Sequence, residues 1–75
     1  MDTWLTKASA KIGAGEVTDD EARYLLGIAK DAARTSGDRK NAPLVTYLVG
    51  LARGRGDTRS IRDIAREISR NVDVP

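Results

Sequence analysis

Apolar residues recur along this chain at spacings of three and four, and Gly and Pro divide them into four segments. In the first, Trp4, Leu5, Ala8 and Ile12 share one face, which predicts a short helix over residues 3–12 ended by Gly13 and Gly15. The second opens on Thr18-Asp19-Asp20-Glu21, a capping box in which Thr18 and Glu21 each bond the other's backbone amide. Asp19 and Asp20 add negative charge at the positive end of the helix dipole. A helix over 18–36 follows, with Ala22, Leu25, Leu26, Ala29, Ala32 and Ala33 as its stripe and Ile28 beside it. Gly37 is its natural terminator.

The third segment starts at Asn41-Ala42-Pro43, where Asn suits the cap and Pro the first turn. It predicts a helix over 42–53 with a core stripe of Leu44, Val45, Leu48, Leu51 and Ala52 and with Val49 flanking it. Residues 42–52 carry no charge, so this helix is expected at the centre of the fold. The fourth, capped by Asp57 or Thr58, predicts a helix over 58–72 along Ile61, Ile64, Ala65, Ile68 and Val72, with Val74 and Pro75 frayed beyond it. Strict alternation of the kind strands need is absent. The expected fold is therefore all-α, a compact bundle of about four short helices forming one domain. Gly27 and Gly50 sit inside helices at a cost of about 1 kcal/mol each relative to Ala. Close approach of the second and third helices would explain them.

At 75 residues the chain buries only ~60% of the surface its unfolded form exposes, so its margin of stability is small. It contains no Cys and no His. Thiolate nucleophiles, disulfides, Cys/His zinc sites and His-based triads are thereby excluded. The carboxylates Asp19, Asp20 and Glu21 occupy adjacent helical positions, which diverge and do not converge on one ion. The expectation is a protein that is not an enzyme and carries no cofactor or metal. No apolar run reaches the ~20 residues of a membrane span, and the N-terminus lacks a signal-peptide core, so a cytoplasmic protein without a membrane partner is expected.

Net charge is +2, from 13 basic and 11 acidic residues, too balanced to demand a polyanionic partner. Arg53-Gly54-Arg55-Gly56-Asp57-Thr58-Arg59 resembles a phosphate-gripping turn before a helix, although it lacks P-loop spacing. Arg59, Arg62, Arg66 and Arg70 suggest a recognition helix, but Asp63 and Glu67 interrupt the row and neutralise it. A weak nucleic-acid or nucleotide-phosphate binding module built on this turn is therefore the alternative reading. The leading one is a helical accessory domain that binds a protein partner through Arg39, Lys40, Tyr47, Arg53 and Arg55, which bracket and flank the apolar third helix. If that helix is not covered within one chain, a homodimer follows naturally.

Two stretches, Leu25-Leu26-Gly27-Ile28-Ala29-Lys30-Asp31-Ala32-Ala33 and Arg39-Lys40-Asn41-Ala42-Pro43-Leu44-Val45-Thr46-Tyr47-Leu48-Val49-Gly50-Leu51-Ala52, carry a resemblance over most of the chain. Trp4, Gly15-Glu16-Val17 and Gly54 extend it. The sequence resembles a small bacterial helical domain family of unassigned function, found alone or fused to molybdopterin-guanine dinucleotide biosynthesis proteins. The most specific match is Ala-Pro-Leu-x-Thr-x-Leu-x-Gly at 42–50. Two positions depart from the family pattern: Arg34 stands where a His is frequent, and Asn41 where a second Ala is. No role of that His carries over. The resemblance implies a helper or adaptor near molybdenum-cofactor nucleotide transfer and supplies no catalytic residues.

Overall fold

Helix ends in this chain are set by side chains that satisfy backbone groups the helices leave unpaired. The computed structural model describes residues 2–71, and its described residues form four helices and no strand. They are α1 (Thr3–Ile12), α2 (Asp19–Ser36), α3 (Asn41–Gly54) and α4 (Ile61–Asn71). The fold is an all-α bundle.

The Asp2 carboxylate caps α1, accepting the Leu5 N–H at 2.9 Å, a cap the apolar pattern does not reveal. The expected capping box opens α2: the Glu21 N–H donates to Thr18 Oγ1 and the Thr18 N–H to Glu21 Oε1, both at 3.0 Å. Gly13 and Gly37 close α1 and α2 at φ 67 and 71, where a Cβ would be strained.

Two starts differ from expectation. Asn41 does not cap α3; it is the first helical residue, and its Nδ2 donates to Ser36 Oγ at 2.9 Å, tying the end of α2 to the start of α3. The Asp38 carboxylate, accepting the Lys40 N–H at 2.9 Å, organises the turn instead. Helix α4 begins three residues later than position 58. The Asp57 carboxylate is taken by Arg59, so Ser60 does the capping, its Oγ accepting the Asp63 N–H at 3.1 Å. The expected end at 72, with Val72, and the fraying of Val74 and Pro75 lie outside the described residues.

Helix α2, not α3, is central: it lies against both α3 and α4, which meet each other less. The buried core is Ile28, Val45, Val49, Ile64 and Ala65, with Ala32 and Ile68 packed on it. This corrects the stripes read on two helices. Ile28 is the inward residue of α2, while Leu26 is exposed. On α3 the inward row is Val45 and Val49, one turn apart, and Val49 is 0% exposed. Leu44 and Leu48 form a parallel row displaced round the helix and remain exposed. The apolar arc of α3 is wider than the surface α2 and α4 offer to cover it.

Close approach at the helical glycines is not found. A Cβ built at Gly27 or Gly50 meets no heavy atom within 4 Å, because both glycines face outward. Helix α1 stands apart, with no Cα within 8 Å of a Cα in the other helices and no buried residue.

Candidate interaction surface

The uncovered row of α3 forms one wall of a groove. Ile28 and Ala32 of α2, Val45 of α3 and Ile68 of α4 form its apolar lining together with Leu44 and Leu48, and it encloses about 360 Å³. Leu44 and Leu48 are 57% and 55% exposed, and Tyr47, one turn from Leu44 and further round the helix, is 64% exposed. Polar groups sit at one end, where Arg34 Nη2 meets Asp31 Oδ1 at 3.2 Å and Asn41 meets Ser36. A buried hydrophobic floor with half-exposed leucines on its lip is shaped for an apolar guest. A second cleft, of about 420 Å³, lies beside α1, lined by Leu5, Val17, Ala22, Leu25, Leu26 and Thr46.

The five residues singled out from the sequence do not form one cluster. Arg39 and Lys40 are exposed in the turn before α3, and Arg53 and Arg55 are exposed at its far end, roughly 20 Å away by the rise of a helix this long. Tyr47 lies between these pairs on the exposed side of α3. Leu44 and Leu48 were placed in the core, yet they are the groove's most accessible apolar side chains. The width of the α3 stripe was the available signal, since five apolar positions plus Val49 span more than one packing face.

The arginine-rich turn spends much of its charge on itself. Arg59 grips Asp57 through Nε to Oδ1 at 3.0 Å and Nη2 to Oδ2 at 2.6 Å, and the Arg59 N–H adds a third bond to Oδ1. The Arg59 guanidinium, with its backbone N–H, holds the Asp57 carboxyl down at about 2, and Asp57 in turn raises the pKa of Arg59. Arg59 also pairs with Glu67. Arg53 Nη1 donates to the Arg59 carbonyl at 2.8 Å, which closes the turn. The fork geometry suited to a phosphate is thus occupied by a carboxylate of the same chain. Asp63 and Glu67 alternate with Arg66 and Arg70 along the exposed side of α4. Arg55 and Arg62 are exposed.

Among the described residues no three Asp or Glu side chains gather as a metal site, and no helix is long and apolar enough to cross a membrane. No curated protein and no solved structure matches the chain. A family model described as a domain of unknown function (DUF6457) matches residues 1–75. With its whole length matched, the chain belongs to this DUF6457 family.

Proposed function

We propose that this domain is a non-catalytic helical adaptor that docks a protein partner in the α2–α3–α4 groove. The observation that carries the reading is the exposure of Leu44, Tyr47 and Leu48 on an uncharged stretch of helix beside a buried floor. An amphipathic helix laying its apolar face into such a groove is a common recognition mode. Arg39 and Lys40 at one end of α3 and Arg53 and Arg55 at the other act as rim charges that orient the partner and speed its arrival. The absence of His and Cys supports a role in binding over one in chemistry. A place beside molybdenum-cofactor nucleotide transfer rests on the family resemblance. Its most specific pattern, at 42–50, contains the exposed Leu44 and Leu48.

The test is recovery of partners by the tagged domain from its own cell lysate, with and without nuclease. The wild type is compared with Leu44→Asp/Leu48→Asp and with Arg39→Glu/Arg55→Glu. A protein that survives nuclease, is lost with the leucine variant and is weakened by charge reversal supports the reading. A molybdenum-cofactor enzyme in that role would supply the process. Equal recovery by the leucine variant overturns the groove. Recovery that collapses with nuclease transfers the function to the arginine-rich turn and its phosphate-binding alternative.

A further inference from the structure

We infer that the helix docked in this groove is α1 of a second copy of the chain, with each copy's α1 laid into the other's groove. The inference rests on the groove being a protein-docking site and names its occupant.

Helix α1 is formed and capped at both ends, by Asp2 and by Gly13, yet it buries no residue and meets the rest of its chain only across the open cleft that Leu5 shares with Leu25, Leu26 and Thr46. A ten-residue helix is marginal alone in water and needs a surface to pack on. Its apolar face offers Trp4 at 73% and Ile12 at 78% exposure, with Leu5 and Ala8 between them. The span from Trp4 to Ile12 is about 12 Å long. The stretch of α2 from Ile28 to Ser36 that walls the groove has the same number of residues and so the same length.

The chain's size points the same way. Its accessible surface is 5854 Å², about 1,400 Å² more than a compact monomer of 8.1 kDa exposes. That excess surpasses the ~800 Å² each partner contributes to a standard interface. The radius of gyration is 12.7 Å against about 11 Å for a compact domain of this length. Among the described residues only Val49 is a fully buried large side chain, a small core for a chain that folds alone.

Charge favours a second copy over an acidic or basic partner. A two-fold interface presents the same surface twice, so any charge at its centre is buried twice. The α3 wall is uncharged over 42–52, and Leu5, Ala8 and Ile12 of α1 are uncharged, with Lys11 at the edge of their face beside Trp4 and Lys7 further round. The link between α1 and α2, residues 13–18, spans up to about 20 Å when extended, enough for the arm to leave its own chain.

The experiment is sedimentation equilibrium of the full chain over about a hundredfold range of concentration, since association follows mass action. The wild type should sediment at twice 8.1 kDa. Ile12→Asp in the arm and Leu48→Asp in the groove should each raise the dissociation constant at least ~10-fold, the effect of 1.4 kcal/mol. Mixing the two variants should restore association in part, because one intact arm then meets one intact groove. Both positions are exposed within the chain, and unchanged helical circular dichroism verifies folding; Trp4→Ser is a second arm variant. A monomer throughout, a dimer indifferent to Ile12→Asp, or no recovery on mixing overturns the inference. A monomer that still captures a protein through Leu44 and Leu48 fails here while the docking function stands; loss of both fails both.

Discussion

Replacing Val49 by alanine removes two carbons from a side chain wholly shielded from water. Transfer of those groups costs about 1.6 kcal/mol at ~0.8 kcal/mol per carbon. The helices around this site relax only in part, so a cavity term adds to the loss. Alanine's better helix propensity returns about 0.5 kcal/mol. The net expectation is a loss of about 1.5–2.5 kcal/mol. For a chain this size, that lowers the melting temperature by roughly 6–20 °C. Urea unfolding followed by circular dichroism, at fixed protomer concentration, gives the free energy directly. Leu26→Ala is the control: a larger side chain is cut, but at an exposed site, and the expected change is within about 0.5 kcal/mol. If Leu26→Ala costs as much as Val49→Ala, the inward row is misplaced and the account of the core fails.

Three further outcomes follow from the helix ends and turns. Thr18→Ala removes the hydroxyl that accepts the Glu21 N–H, leaving the backbone half of the box, and should cost about 1 kcal/mol in urea unfolding, whereas Thr18→Ser should keep most of it; equal losses would contradict the hydroxyl cap. Gly27→Ala and Gly50→Ala should each stabilise by up to about 1 kcal/mol, because a Cβ enters open space at helical φ, while Gly37→Ala at φ 71 should destabilise; a lowered melting temperature at Gly27 or Gly50 would revive close packing there. Asp57 has a folded-state pKa of about 2, below its unfolded value, so its contribution is present above pH ~4 and is lost as pH falls toward 2. Asp57→Asn should flatten the acid limb of the urea midpoint against pH, and curves that stay parallel would show the Arg59 clamp to be idle.

The four helices, their order and the box at Thr18 were legible because they are local: spacing, caps and glycines act within a few residues. What escaped was set by tertiary direction. Periodicity gives the apolar arc of α3 but not which part of it faces α2, so Val49 was placed at the edge and Leu44 and Leu48 inside. Competition among side chains was equally hidden. Asp57 has the chemistry of a cap, yet Arg59 claims it and Ser60 takes the role. Asn41 bonds Ser36 for a similar reason, since a nearby hydroxyl competes with its own backbone. The cost of Gly27 and Gly50 is visible in the sequence, but the open space around them is not. The phosphate-gripping look of the arginine-rich turn, the alternative reading, comes from composition, and sequence does not show that Asp57 folds back onto Arg59. The surface left uncovered by α1 is likewise invisible to periodicity, which reports an apolar face but not its partner.

The most direct test of the docking surface is a photo-crosslinking residue placed at Leu48 in the intact chain in cells, with Lys30, exposed on the side of α2 away from Ile28, as the comparison site. The groove account predicts a discrete protein adduct from position 48, at twice the chain's mass if the occupant is a second copy, and none from position 30. No adduct at 48, or equal labelling from both positions, would contradict it.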